Sequence, residues 1–257
     1  PDINLTPYSI WLATVVVSGI SYLSYLLKRY VFHESGTLVS GIIGGLYSST
    51  ATISVLARKS RKASEQEATD YVAAMLLAVS MMFLRFMILI LIFSREIFLS
   101  IYPYLLTMAV VAAIVAWFIH SRQKRPEGQS AETEEDDSSN PLEFKVALIF
   151  AILFVIFTFL THYTLVYAGT GGLNLLSFVS GFSDITPFIL NLLQNTGSVA
   201  ALIITACSMQ AIISNIMVNM FYALFFAGKG SKLRPWILGG FGVVIVCNLV
   251  LLLFFYI

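Results

Sequence analysis

Six long apolar runs, 8–27, 70–93, 97–119, 145–167, 198–227 and 236–257, constrain this chain more than any other feature. About 20 apolar residues span the hydrocarbon core of a bilayer as a helix. Lipid offers no partners to main-chain N–H and C=O groups, so segments of this length close their hydrogen bonds internally, as α-helices. The charge content agrees: 11% of the 257 residues are charged and 58% are hydrophobic, whereas soluble domains carry about 25% charged residues. The sequence therefore predicts an all-α, polytopic membrane protein of the cell membrane, with the lipid bilayer as its first partner. A net charge of +1 gives no polyelectrolyte footprint, so nucleic acid is not an expected partner. Cys207 and Cys247 both sit in apolar runs and read as small packing residues, without a metal or disulfide spacing. A start at Pro1 rather than Met reads as a fragment or processed product.

Two further runs, 36–57 and 172–193, are apolar and just long enough but interrupted. The first contains Gly44 and Gly45, followed by Ser48, Ser49, Thr50 and Thr52, four hydroxyls in five positions. Two glycines weaken a helix by about 1–2 kcal/mol relative to alanine. The second run contains Gly181 and Pro187. The expected backbone breaks are thus Gly44, Gly45, Gly181 and Pro187. Broken main chain at membrane depth is tolerated only where protein or a wet cavity surrounds it.

The order of runs repeats on either side of a hydrophilic linker rich in Asp, Glu, Ser and Asn. This divides the chain into a first repeat, 1–120, an acidic linker, 121–143, and a second repeat, 144–257. Gly45-Leu-Tyr-Ser48-Ser-Thr50 aligns with Gly181-Phe-Ser-Asp184-Ile-Thr186 at a shift of 136 positions. Lys and Arg in the loops set orientation. If all eight runs span, Lys and Arg divide 8 to 6 between the two faces. If both interrupted runs enter and leave by the same face, Lys28, Arg29 and the clusters at 58–62, 122–145 and 229–234 share one face and only Arg95 opposes them, 13 to 1. The expected arrangement is two inverted repeats, each of three helices plus one re-entrant or broken segment. The linker is then cytoplasmic and both termini outside. The alternative is eight full transmembrane helices, with Ser40, Gly44 and Ser48 as a small-residue packing row.

The sequence resembles a family at these residues. Tyr22 to Tyr30 leading into Gly41 to Ala57, then Arg58-Lys-Ser-Arg61, is similar to the uncharacterised membrane domain that follows the MgtC/SapB domain in some bacterial and archaeal proteins. Arg85 falls where that family has an arginine in an apolar helix, and Gly181-Phe-Ser-Asp184 matches the start of a later motif. Thr186 and Pro187 stand where the motif has aspartate and alanine, Asn215 fits a family asparagine, and Asn219 replaces a common lysine. The resemblance implies a role in ion physiology and an upstream MgtC/SapB-like domain absent from this chain.

Arg85 and Asp184 are the opposite charges expected at depth. A charge at the bilayer centre costs about 2.5–3.5 kcal/mol on insertion scales, so two of them imply pairing or a ligand. The structural alternatives are an ion pair, or Arg85 capping carbonyls of a broken segment. Asp184, followed by Thr186 and Pro187, is also a helix-start signature. Asn215 and Asn219, four apart, share a helix face. With no HExxH, GxSxG or P-loop in the sequence, neither an enzyme nor a cofactor is expected. The function read from these features is a membrane transporter or channel for a small ion or polar solute. Its site would be formed by Ser48, Ser49, Thr50, Arg85, Asp184, Thr186, Asn215 and Asn219 near the midplane. The alternative is a non-transporting membrane regulator that packs against a partner, and a homo-oligomer is open to either.

Overall fold

The computed structural model describes residues 6–31, 36–61, 63, 65–122, 144–194, 199–228 and 231–256. Among them lie eight α-helices: α1 (Pro7–Leu26), α2 (Thr37–Lys59), α3 (Glu65–Phe93), α4 (Arg95–Ser121), α5 (Phe144–Ser180), α6 (Ile185–Gln194), α7 (Ala201–Ala227) and α8 (Arg234–Tyr256). A π-helical turn, Leu27–Val31, extends α1. Seven helices are long and apolar enough to cross a membrane, and the chain is an all-helical, multi-pass membrane protein. The acidic linker lies, from residue 123 on, outside the described residues. Helix starts follow local chemistry: Thr6 and Ser9 cap α1 reciprocally, and the Ser94 hydroxyl accepts from the N–H of Ile97 at 3.3 Å to start α4.

Despite its length, α2 is not one straight rod. Ser48 is extended inside it, with φ −158° and ψ 108°. A Cβ placed on Gly44 would lie 2.8 Å from Cγ2 of Thr52. In a straight helix those positions are about 12 Å apart along the axis, so residues 37–47 and 49–59 fold back on each other. The pairing with α3 agrees. Gly41 lies against the backbone of Ala74 and Gly45 against that of Ala78, so the incoming limb runs in the same direction as α3. Neighbouring crossing helices joined by a short loop run oppositely. The incoming and outgoing limbs therefore form a hairpin that enters and leaves by the face of the 60–64 loop.

The second half repeats this at the same shift of 136. At Gly169 (φ 58°, ψ −150°) α5 bends sharply, and a Cβ on Gly172 would lie 2.8 Å from Cγ2 of Thr164. Residues 170–180 thus turn back inward beside the long limb, 144–168. After a tip at 181–184, α6 leads out again. The returning limb runs parallel to α7: Cys207 Sγ donates to Asn174 Oδ1 at 3.4 Å, Ser177 Oγ to Gln210 Oε1 at 2.7 Å, and Ser214 Oγ to the carbonyl of Phe178 at 2.6 Å. The contact of Gly45 with Ala78 recurs as that of Gly181 with Ser214, and the Gly41–Ala74 pair recurs as Ser177–Gln210. Ser48 corresponds to Asp184, and each caps an outgoing limb. The Ser48 hydroxyl accepts from the Ala51 N–H at 3.3 Å, and Asp184 Oδ1 from the Thr186 N–H at 2.9 Å.

Two contacts fix the faces. Arg61, after α2, donates to the carbonyls of Phe225 (3.3 Å) and Phe226 at the end of α7, and the Arg58 guanidinium lies 4.3 Å from the Phe226 ring centroid. Gln194, at the end of α6, donates to the carbonyl of Ser9 near the start of α1, at 3.4 Å. The first hairpin therefore opens on the face where α7 ends, and the second on the face where α1 begins.

The breaks are not where glycine and proline alone predict. Gly44 and Gly45 are helical; their lack of a side chain serves close approach, to Thr52 and Ala78 respectively. The chain leaves the helix at Ser48, whose hydroxyl restarts it. Pro187 lies in the first turn of α6, where the missing N–H is not needed. Gly181 does stand at the tip. Every residue of α6 from Ile185 to Leu193 is buried, which shelters this short helix from lipid, while Leu106, Trp117, Leu253 and Phe254 are exposed.

The elbow at Gly169 is open to test. Its positive φ disfavours any side chain, yet nothing lies within 4 Å of an added Cβ. Gly169→Ala is expected to cost about 1–3 kcal/mol from backbone strain alone. The helical neighbour Gly171, equally unobstructed, gains stability as alanine. Thermal melts of the two variants in detergent check this.

Candidate functional site

The two tips converge on Arg85. The incoming limb of α2 ends at Tyr47, and a helix end leaves carbonyls without intrahelical partners. Arg85, on α3 beyond the level of Ala78, donates from Nη1 to the Tyr47 carbonyl at 2.8 Å. Arg85 is only 8% exposed. The charge of Asp184, at the tip of the second hairpin, acts on it, although no direct ion pair joins the two. Asp184 is exposed and Thr186 buried. Arg85 Nε is buried with no hydrogen-bond partner. Such an orphaned donor costs about 1–3 kcal/mol unless something accepts from it.

On α7, Asn215 Nδ2 donates to the carbonyl of Gly181 at 3.3 Å, steadying the second tip, and Asn219 Nδ2 donates to Asn215 Oδ1 at 3.1 Å. Asn219 is fully buried, and its Oδ1 has no partner. Ser48 and Ser49 begin the outgoing limb of α2, with Ser49 buried. The Thr50 carbonyl accepts from the Ser54 hydroxyl at 2.8 Å. Arg85 thus meets the tip that holds Ser48, Ser49 and Thr50, and feels the charge of the tip that holds Asp184 and Thr186. Asn215 touches the second tip directly, and Asn219 reaches it through Asn215.

Both bland expectations for the charged residues are realised in part. Arg85 caps a carbonyl of a broken segment, and Asp184 caps a helix. Neither accounts for the unpaired Nε. Sequence reasoning overlooked Asn174 and Ser177, which bond the returning limb of α5 to α7; the shift of 136 that places Ser177 opposite Gly41 was the available signal. Among the described residues no group of three or more His, Cys, Asp or Glu could hold a metal ion.

Two helical hairpins that open on opposite faces of a scaffold of long apolar helices make this an all-helical, polytopic membrane protein. The chain belongs to the family described as Domain of unknown function (DUF4010), which it matches over residues 15–227. It is similar to an uncharacterized protein of Aquifex aeolicus (strain VF5), 25% identical over 227 residues, covering 86% of this chain and 96% of that protein. No solved structure matches.

Proposed function

We propose that this protein moves a small ion or polar solute across the membrane, with the site between the two hairpin tips. One observation carries the reading: Arg85 is held by the carbonyl of one tip and keeps a buried, unpaired N–H. Broken segments that meet in a sheltered interior, on repeats of opposite orientation, are the usual plan of a secondary transporter. Rocking one repeat against the other would expose the tips to each face in turn. The positive loops argue that the face carrying Arg58, Lys59 and Arg61 is cytoplasmic. The resemblance to a domain that accompanies MgtC/SapB proteins is compatible with ion physiology.

Flux into proteoliposomes across a panel of cations, anions and small polar solutes tests this. Wild type is expected to transport at least one of them, and Arg85→Ala to reduce that flux by at least about tenfold, a loss of one good charge-assisted contact. A non-transporting regulator would give no flux for any solute.

A further inference from the structure

We infer that the solute is a small anion and that it travels with a proton carried on Asp184. This rests on the transport reading and names its substrate class and coupling. Arg85 already gives one N–H to the Tyr47 carbonyl. The group left over on Arg85 is a donor, Nε–H, buried and unpaired, while the unpaired acceptor, Asn219 Oδ1, lies on α7 and reaches the second tip only through Asn215. A metal cation or an ammonium offers a donor nothing to accept it; an anion does. The side chain is more than nine-tenths buried, so a ligand there meets the guanidinium largely without bulk water, where a charge-assisted hydrogen bond is strong. The outgoing limbs, residues 49–59 and α6, also begin at the two tips beside it, with Ser48 and Asp184 as their caps. Helix starts favour negative charge.

Asp184 decides the coupling. With Arg85 it makes the site electrically neutral. A bound anion adds one uncompensated negative charge within the membrane, which is expensive. One proton on Asp184 restores neutrality: the carboxylate takes H⁺ as the anion enters and gives it up as the anion leaves. Asp184 is exposed rather than packed in the core. The hydrogen bond it accepts from the N–H of Thr186 survives protonation through the carbonyl-type oxygen. The charged group on the neighbouring scaffold is Arg85 of α3, held by the Tyr47 carbonyl of α2. Below the tip α7 presents the amides Asn215 and Asn219, which do not titrate.

The test uses the purified full chain in liposomes loaded with a pH-sensitive dye. External chloride, nitrate and formate serve as probes, with sodium and potassium as the cation arm. An inward anion gradient is expected to acidify the lumen, and an imposed inward proton gradient to drive anion accumulation. Asp184→Asn, which keeps the cap oxygen but cannot take up a proton, is expected to lose at least 90% of proton movement. Arg85→Lys, which keeps the charge but not the fork, is expected to weaken anion uptake at least tenfold. Sodium or potassium flux that needs Asp184 and ignores anions would overturn the inference and leave the transport reading standing. Anion flux without proton movement in wild type would overturn the coupling. No flux in any arm would remove both.

Discussion

Gly45→Ala is expected to unseat the first hairpin. An added methyl would lie 2.5 Å from the Cα of Ala78, and backbone cannot swing aside as a side chain can. Gly181→Ala places the same methyl 2.8 Å from the Asn215 N. Forcing one methylene into a packed interior costs about 1–3 kcal/mol, and more where the obstacle is main chain. The two hairpins are therefore expected to lose their seats on α3 and α7, with a fall of many degrees in the detergent melting temperature. Loss of transport should follow even where folded protein remains, because the tips no longer meet Arg85. Gly19→Ala is the control, since nothing lies within 4 Å of its added Cβ; alanine there should hold or raise the melting temperature. Melting curves of Gly45→Ala and Gly181→Ala that match Gly19→Ala would mean that the limbs do not seat at contact distance.

Much of this architecture was legible because lipid makes backbone chemistry visible in sequence. The apolar runs mark the long helices to within a few residues, and the lopsided distribution of Lys and Arg points to segments that return to their own face. The shift of 136 between Gly45 and Gly181 reappears as the same packing contact. What misled was the reading of glycine. Gly44 and Gly45 look like a break, yet Gly45 lies four residues from Gly41 on one face of an intact helix against α3, and Gly44 admits Thr52 of the outgoing limb; the break falls at Ser48, whose side chain can restart a helix. Composition does not separate a glycine that bends from one that lets another backbone approach. The elbow at Gly169 also went unread, since a single glycine near the end of an apolar run carries no signal until its φ is known. At the tips, Arg85 and Asp184 stood out because charge at depth is rare. Their division of labour was not legible: whether an arginine finds a carbonyl, a carboxylate or nothing depends on a few ångströms of register between α3 and the hairpins.

A cysteine at Gly36 and one at Ala63 are expected to react from the same face of the membrane, which is the sharpest test of the hairpin. A straight α2 would carry these positions to opposite faces. In the folded-back chain they share the face of Gly228, because Arg61 bonds the end of α7 there. Glu96 and Ala200 mark the opposite face, and both are exposed. With Cys207 and Cys247 replaced by alanine, single cysteines at the five positions would be probed in intact cells with a membrane-impermeant maleimide, then again after permeabilisation. Glu96→Cys and Ala200→Cys should label in intact cells; Gly36→Cys, Ala63→Cys and Gly228→Cys only after permeabilisation. The contrast is all-or-none, because a maleimide that does not cross lipid reaches one face alone. If the whole pattern inverted, the hairpins would stand and only the assignment of the basic face to the cytoplasm would fall. If Gly36 and Ala63 labelled from different sides, α2 would be a crossing helix. The second hairpin would then enter with no counterpart, and Arg85 would lose the carbonyl at Tyr47 that holds it between two tips. The anion site depends on that convergence, so this labelling pattern decides the topology before any solute is chosen.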